Sequence, residues 1–364
     1  MRAGMQCLLE LLRGQRADRA IGEVEWEAAL ALAKTERVLP WVAARLRSRD
    51  GPLPPAIADW LRSIERDAAI AGFYWSSELK GVLRAFDRAK IAVVPLKGPF
   101  LAERLYGSAA LRACGDLDLL VSKADLKRAE AVLEATGFVS GAPDDYHRPW
   151  HRETIMVELH HDVENPLAFN FGIEGALRRA LAAEFQGERC RQLAAEDELL
   201  FLCLHGVRHR FERMSLAVDL QLGFARLAGA AETWRPRPEV AELGGVLTLG
   251  LAMARRLDPG LKVAIDPSGP KQQNEHLERL ADRLWERLLT RPGEPLDWRG
   301  AHSFFVEMEL PGWSRLHRRF RHMQIFAGRV IEPDYAFAAR FGLKRRWQAR
   351  MLRPVRLLSG LMRS

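Results

Sequence analysis

The sequence predicts an α+β fold, in which one small β-sheet lies between two helical regions. In the N-terminal part, Ile57, Leu61 and Ile64 repeat at the three- to four-residue spacing of an amphipathic helix. At Ile91 the pattern changes to short β-branched runs, which are typical of buried strands, and the helical spacing returns from about Gly172. We therefore predict three regions, namely a helical region over 1–90, a sheet over 91–165 and a second helical region over 166–364.

Local signals place the individual elements. The apolar run from Ile91 to Leu96 predicts a strand, and the Lys97-Gly98-Pro99 segment after it predicts a turn into a helix. Ser122 and Asp125 have the spacing of a capping box, and a glycine at 137 marks the end of the helix that follows. In chain order, the predicted elements are helices over 1–14 and about 56–90, strands over 91–96 and 117–121, a helix over about 124–137, a strand over 153–161 and a helix over 196–207.

The composition is that of a soluble globular protein in a reducing compartment. Hydrophobic residues make up 48% of the chain and charged residues 28%. The four cysteines lack a Cys-x-x-Cys spacing, so the sequence indicates neither a structural zinc site nor a disulfide framework. Glu10 interrupts the apolar N-terminal run, and no stretch approaches the roughly 18 apolar residues that span a bilayer. We predict a cytoplasmic protein without a membrane span.

Positive charge is concentrated at the C-terminal end. The net charge is +8, and residues 340–363 contain no acidic side chain. The basic residues there are Arg340, Lys344, Arg345, Arg346, Arg350, Arg353, Arg356 and Arg363. Such a segment can contact RNA, an acidic peptide or an anionic membrane surface, or it can form a solvated helix edge, which is the interpretation that we favour.

The strongest functional signal is the pair Asp116 and Asp118. Because side chains alternate faces along a strand, the two carboxylates share one face of the sheet while Leu117 points to the other. Two carboxylates this close repel each other unless a cation lies between them, and the usual cation for oxygen ligands is Mg²⁺ or Mn²⁺. Such a site normally needs a third carboxylate, for which Glu158 in the predicted third strand is the natural choice.

Lys97, Gly98 and Arg112 are candidates for binding a nucleotide. Gly98 at a strand-to-helix turn allows a phosphate to approach the backbone, where the first N–H groups of the next helix are free. Lys97 can contact a β- or γ-phosphate, and Arg112 can clamp a triphosphate or pair with a nearby acid. Together with the aspartates, these residues indicate nucleotide chemistry.

His160, His205, His209 and Asp219 are candidates for supporting roles or for the acceptor site. His205 and His209 lie one helical turn apart and are expected to share a face, as metal ligands, phosphate contacts, proton shuttles or hydrogen-bonded core residues. We expect Asp219 to orient one of them. His160 and His161 beside the third acid raise a zinc hydrolase as an alternative, but no His-Glu-x-x-His spacing supports it.

This combination of motifs resembles the uncharacterised bacterial nucleotidyltransferase family of the DNA polymerase β-like superfamily. The resembling segments around the aspartates are Pro95-Leu96-Lys97-Gly98, Leu105-Tyr106, Leu111-Arg112, the run from Gly115 to Val121, and Thr136-Gly137-Phe138. Further segments are Glu158-Leu159-His160, His205-Gly206-x-x-His209, Leu216-x-x-Asp219-Leu220 and the closing run from Arg353 to Leu358. One departure is Lys97-Gly98, which stands where the superfamily usually has a phosphate-contacting Gly-Ser pair.

The resemblance implies a small mixed β-sheet that carries two metal-binding aspartates. It also implies transfer of a nucleoside monophosphate from an NTP, with ATP expected, to a hydroxyl or phosphate of a peptide, protein, RNA or small molecule. Asp116, Asp118 and Glu158 would then hold Mg²⁺ or Mn²⁺, with Glu158 completing the site or helping to deprotonate the acceptor. Two alternatives stay open, namely a non-catalytic nucleotide- or peptide-binding protein on the same fold and a kinase that transfers the γ-phosphate with the same metals.

Overall fold

The computed structural model describes the N-terminal helices, the sheet and most of the second helical region. The described residues are 2–14, 21–48, 53, 55–144, 146–163, 169–227, 233–234, 237, 243–265, 271–295, 304, 332–343, 348–349, 351–353 and 355–356. Among these residues, no helix combines the length and the apolar character that crossing a membrane requires.

Four helices precede the sheet, as the apolar spacing predicts. They are α1 (Arg2–Arg13), α2 (Glu23–Thr35), α3 (Leu39–Arg47) and α4 (Pro55–Arg88). The predicted stripe of α4 is buried, and Ile57 and Leu61 are at most 5% exposed. At Gly72 the backbone of α4 approaches a short 3₁₀ helix (Ala109–Leu111) so closely that a Cβ atom would lie 2.8 Å from the Ala110 backbone. This contact fixes the segment that leads into the second strand.

The sheet has five strands in a mixed arrangement, which confirms the predicted α+β class. Its strands are β1 (Val93–Pro95), β2 (Leu117–Val121), β3 (Val139–Ser140), β4 (His147–Arg152) and β5 (Ile155–His160). The spatial order is β1-β2-β5-β4-β3, with β2 and β5 parallel and the other neighbours antiparallel. The first strand is shorter than predicted, and β3 and β4 were not predicted. Pro149 lies within β4, and proline in a run normally argues against a strand.

Two helices connect the strands of the sheet. They are α5 (Gly98–Tyr106) and α6 (Leu126–Ala135). Before α6, the Asp125 backbone N–H donates to Ser122 Oγ at 3.1 Å, and the Ser122 hydroxyl lies 3.0 Å from Asp125 Oδ2. The predicted capping interaction is therefore present, although the helix begins about two residues later than predicted.

The region after the sheet is largely helical, as predicted, and it also contains short strands that were not predicted. Its elements are α7 (Ile173–Arg179), β6 (Leu181–Phe185), β7 (Glu188–Gln192), α8 (Ala195–Arg208), α9 (Met214–Leu227), β8 (Thr233–Trp234), α10 (Gly244–Leu257), β9 (Ala264–Ile265), α11 (Lys271–Thr290) and α12 (Glu332–Ala339). β6 and β7 form a hairpin whose two turn residues, Gln186 and Gly187, both have positive φ, of 48° and 88°. This two-residue turn matches the twist of the flanking strands, so it stabilises the hairpin.

The two faces of the sheet pack against different parts of the molecule. Leu117, Leu119 and Val121 of β2 belong to a cluster that includes the C-terminal half of α4 and residues of α6. Leu120 points the other way, into the large core formed by the N-terminal helices together with α8, α9 and α10. Asp118 shares the face of Leu120, since side chains two apart lie on one side of a strand. It therefore faces the helical regions.

Two arginines of the basic C-terminal segment are not part of a solvated edge. Arg353 is buried, and its guanidinium lies 3.3 Å from Asp334 Oδ2. Arg356 Nε donates to Asp334 Oδ1 at 2.6 Å. For these two residues the favoured interpretation was wrong, because a buried carboxylate on α12 compensates them. Lys344, Arg345, Arg346, Arg350 and Arg363 lie outside the described residues.

Candidate active site

Lys97 reaches the sheet through the turn between β1 and α5. Lys97 is the N-cap of α5 and has an extended backbone. Gly98 has a φ of +67°, in the left-handed region that glycine occupies without strain. The turn places the Lys97 side chain in a buried position with its ammonium group 2.9 Å from Asp118 Oδ1.

The register of β2 and β5 places the two central acids side by side. Asp118 pairs with Glu158 across the parallel strands, and His160 follows two residues later on the same face. The Asp118 side chain is 1% exposed and that of Glu158 is 19% exposed. Solvent and ligands can therefore reach the pair mainly from the side of Glu158.

Four side chains, Lys97, Asp118, Glu158 and His160, form what we call the carboxylate cluster. His160 Nε2 lies 3.2 Å from Asp118 Oδ1, the oxygen that Lys97 also contacts. The same nitrogen lies 3.3 Å from Glu158 Oε2. Asp118 Oδ2 is buried and has no hydrogen-bond partner in the described part of the chain.

The carboxylate cluster fits a divalent cation. Asp118, Glu158 and His160 each offer a ligand atom, and these atoms lie within 4.8 Å of one another. A buried carboxylate oxygen without a partner is costly, and a cation with oxygen ligands would remove that cost. The orphaned oxygen of Asp118, together with the ligand atoms of Glu158 and His160 beside it, is the observation that favours a metal here.

The charges within the cluster lower the pKa values of its two carboxyl groups and raise the pKa of its histidine. Burial disfavours ionised Asp118, but Lys97 and His160 outweigh burial and hold the pKa of Asp118 below its ordinary value. Burial also opposes ionisation of Glu158, yet the hydrogen bond with His160 lowers the pKa of that carboxyl. In return, the two carboxylates raise the pKa of His160 despite its burial. Both acids are thus kept ionised, as metal ligands must be.

Asp116 lies beside the carboxylate cluster. It immediately precedes β2 and is partly exposed, and it is not among the described side chains whose ligand atoms meet within 4.8 Å. Burial and then the charge of Asp118 raise the pKa of Asp116. Its backbone oxygen accepts a hydrogen bond from the Cys114 thiol at 3.1 Å. The pKa of Asp116 is thus shifted upward, whereas those of Asp118 and Glu158 are shifted downward.

Arg112, Asp219 and Tyr106 form a second buried group, which we call the arginine brace. Arg112 Nε and Nη2 donate to the two carboxylate oxygens of Asp219 at 3.0 Å and 2.8 Å. The Tyr106 hydroxyl donates to Asp219 Oδ1 at 2.6 Å. Asp219 was expected to orient a histidine, and that expectation was wrong because its carboxylate binds Arg112 and Tyr106 instead. Of the two roles considered for Arg112, pairing with an acid describes this structure, and nucleotide binding stays a prediction.

His205 and His209 share a face of α8, as their spacing predicts. Their ring centroids lie 4.5 Å apart. His205 is buried, and its Nδ1 atom has no hydrogen-bond partner among the described residues. Burial and the positive charge of nearby Lys97 hold the pKa of His205 well below its ordinary value, so the ring is neutral. The charge of Lys97 therefore acts on His205 of α8, while any contact of the histidines with metal or phosphate stays a prediction.

Residues of β4 and α8 complete the surroundings, and sequence reasoning missed them. His147 Nε2 lies 3.7 Å from Glu158 Oε1, and its ring stacks on that of His160 at 5.0 Å. The Tyr146 ring lies 6.0 Å from that of His160, and Arg208 donates to the Tyr146 hydroxyl at 3.1 Å. No apolar alternation marks β4, and Pro149 within the run argues against a strand, so the sequence offered no signal for His147.

Comparisons with known proteins show the family of the chain. No curated protein matches the chain. Among solved structures, the chain is similar to an antigenic nucleotidyltransferase-like protein from Paracoccidioides brasiliensis, at 13% identity and a TM-score of 0.36, over 52% of this chain and 94% of that one. A similarity this low places no functional residue. The sequence profile described as "Uncharacterised nucleotidyltransferase" matches residues 22–257, which include the carboxylate cluster and the arginine brace. The resemblance is thereby confirmed, and the chain belongs to the uncharacterised nucleotidyltransferase family.

Proposed function

We propose that this chain is a metal-dependent enzyme that moves a nucleoside monophosphate from an NTP to a hydroxyl or phosphate acceptor. Membership of a nucleotidyltransferase family supports transferase activity in general. The observation that carries the proposal is the buried Asp118, whose second oxygen lacks a partner although Glu158 and His160 lie within ligand distance. Lys97 and His160 both contact the other oxygen of Asp118, so a cation at the cluster would give the second one a partner.

Asp118 and Glu158 would hold the divalent cation, Mg²⁺ or Mn²⁺. When bound, such an ion neutralises triphosphate charge and polarises the phosphoryl group under attack. Lys97 would neutralise further phosphate charge, and its ammonium group already lies at the cluster. Gly98 opens α5, where the free backbone N–H groups of a helix N-terminus favour phosphate oxygens.

The reaction itself is a displacement at the α-phosphorus of the NTP. An acceptor oxygen forms the new bond to phosphorus, the bond to the α,β-bridging oxygen breaks, and pyrophosphate leaves with that electron pair. We assign the proton of an acceptor hydroxyl to Asp116, because it lies beside the cluster, is partly exposed and has a raised pKa, whereas the pKa values of Asp118 and Glu158 are lowered. The earlier prediction of Asp116 as a metal ligand is the alternative.

The remaining regions would shape the site for its substrates. We assign catalysis to the sheet region over 91–165 and recognition of the acceptor to the helical regions over 1–90 and 166–364. The face of the sheet that carries Asp118 packs toward the core shared by both helical regions, which supports this division of roles. The acceptor class, whether peptide, protein, RNA or small molecule, is open, and ATP is the expected nucleotide.

The test is transfer of label from nucleotides carrying phosphorus-32 at the α or the γ position. Each α-labelled NTP is incubated with the protein, Mg²⁺ or Mn²⁺, and a cell extract as a source of acceptors. We expect label from an α-labelled NTP to reach an acceptor, and Asp118→Asn to lower the rate by about 10³-fold, since both charge and a ligand are lost.

The matched control is Glu134→Gln, which removes an exposed carboxylate from α6 and should leave the rate unchanged. Transfer of label only from γ-labelled ATP would replace the proposal with the kinase alternative. Binding of NTP without any transfer would favour the non-catalytic alternative.

A further inference from the structure

His160 introduces a nitrogen donor into a site otherwise built from carboxylates. The residue is 2% exposed on β5, and its Nε2 atom faces Asp118 Oδ1 at 3.2 Å and Glu158 Oε2 at 3.3 Å. All three residues contribute an atom to the set that lies within 4.8 Å. The position bounded by these atoms is therefore lined by one imidazole nitrogen as well as by oxygens.

The surroundings hold the His160 ring in an orientation suited to metal binding. His160 Nδ1 lies 3.3 Å from the backbone oxygen of Asp162, to which it can donate a hydrogen bond. That bond leaves Nε2 as the nitrogen toward the carboxylates, where a bound metal would take the place of the Nε2 proton that Asp118 and Glu158 accept. Stacking on His147, with ring centroids 5.0 Å apart, restricts the ring plane further.

The buried Asp118 carboxylate supplies a second, independent observation. Its side chain is 1% exposed, and Lys97 and His160 share only its Oδ1 atom. The Oδ2 atom has no hydrogen-bond partner in the described residues. A cation bound at this cluster would satisfy an oxygen that neither Lys97 nor His160 reaches.

We propose that His160 is a metal ligand and that the Asp118–Glu158–His160 site therefore selects Mn²⁺ over Mg²⁺. This inference rests on the proposed function. Mg²⁺ prefers oxygen ligands and dehydrates reluctantly, whereas first-row transition ions accept imidazole together with carboxylates. Zn²⁺ favours four ligands, so three protein donors would leave it one position. Mn²⁺ is six-coordinate with such ligands and keeps positions for several triphosphate oxygens.

The test measures metal binding to the full chain without any turnover. Mn²⁺ binding is followed by electron paramagnetic resonance, and Mg²⁺ binding by its displacement of Mn²⁺. We expect Mn²⁺ to bind at least about 10-fold more tightly than Mg²⁺, in line with the effect of an added nitrogen ligand. Spin-echo modulation of the bound Mn²⁺ should show coupling to an imidazole nitrogen.

Two variants make the assignment specific. His160→Asn should remove the nitrogen coupling and weaken Mn²⁺ binding about 10-fold while changing Mg²⁺ binding far less. His161→Asn, the matched control at the neighbouring and more exposed position, should change neither. Circular dichroism establishes that both variants fold, and if His160→Asn does not, the nitrogen coupling in the unmodified chain remains the deciding measurement.

The outcomes separate this inference from the proposed function. Mn²⁺ bound without nitrogen coupling, or equal affinity for the two ions, overturns the inference even if label transfer proceeds. Nitrogen-coupled Mn²⁺ without label transfer supports the ligand assignment and overturns the proposed function. Absence of any metal binding overturns both.

Discussion

Two buried aspartates, Asp118 on β2 and Asp219 on α9, differ in how completely the protein pairs their oxygens. In the arginine brace, Asp219 binds Arg112 through both oxygens and also accepts a hydrogen bond from Tyr106. In the carboxylate cluster, Asp118 has Lys97 and His160 on one oxygen, and no described partner on the other. We call the first arrangement closed, because both oxygens of Asp219 have partners within the protein. We call the second incomplete, because one oxygen of Asp118 has none among the described residues. Pairing within the protein accounts for both oxygens of Asp219, whereas Asp118 keeps an oxygen that a cation held beside Glu158 and His160 would pair.

The largest expected effect is on the closed pair. Arg112→Met leaves Asp219 as a buried, poorly compensated charge, so we expect the free energy of unfolding to fall by about 3–5 kcal/mol. Urea unfolding at neutral pH measures this loss. The double variant Arg112→Met/Asp219→Leu should recover most of it, because no charge is then left unpaired. A loss below about 1 kcal/mol in the single variant would show that the brace is not structural.

The next prediction concerns the incomplete aspartate. Saturating the carboxylate cluster with Mn²⁺, at about 100-fold its dissociation constant, should raise the free energy of unfolding by about 2.7 kcal/mol. Asp118→Asn should abolish this stabilisation, because the variant loses a ligand charge. Thermal unfolding with and without the ion measures both. An equal gain in Asp118→Asn would place the bound ion elsewhere.

Tyr106→Phe tests how much the Tyr106 hydroxyl contributes to the stability of the arginine brace. The Tyr106 hydroxyl donates to Asp219 at 2.6 Å, and a hydrogen bond to a charged group contributes about 2 kcal/mol. We expect a loss of that size in urea unfolding, with Mn²⁺ binding unchanged because Tyr106 belongs to the brace and not to the cluster. A variant as stable as the unmodified chain would mean that Arg112 alone satisfies Asp219.

The smallest expected effect extends the comparison to His205, another buried group with an unpaired atom. Its pKa is lowered by burial, so the folded protein resists a proton that the unfolded chain accepts near pH 6.5. Stability from this group is therefore retained above pH 6.5 and lost as the pH falls below it. Between pH 7.5 and 5.5 the loss is about 1.4 kcal/mol. His205→Gln should reduce the pH dependence by this amount, and an unchanged dependence would contradict the assignment.

The part of the fold that depends on local patterning could be predicted from the sequence. β1, β2 and β5 are apolar runs, and the apolar residues of α4 repeat at helical spacing, so the local pattern alone predicts each of these elements. β4 could not be found in this way, because its stability comes from pairing with β5 along six residues. The hairpin of β6 and β7 was also missed, because a two-residue turn and not an apolar pattern sets the pairing of its strands.

The candidate site shows the same limit. Lys97, Asp118 and Glu158 lie in short motifs and could be proposed one by one, but their contact depends on the parallel register of β2 and β5. The arginine brace joins residues 107 positions apart, and nothing local to Asp219 distinguishes Arg112 from another arginine as its partner. The candidate residues could thus be proposed from the sequence. The tertiary structure was needed to tell which aspartate is paired within the protein and which is available to a ligand.

The register between Asp118 and Glu158 also restricts how the chain can change in length. The turn at Glu153 and Thr154 feeds β5 directly, so one inserted residue that shifted the strand would send the Glu158 carboxylate to the opposite face. Two inserted residues would restore the face but move the carboxylate along the strand by about 7 Å, out of reach of Asp118. Insertions in this family are therefore expected in the loops beyond the sheet, and the β4–β5 turn should keep a constant length.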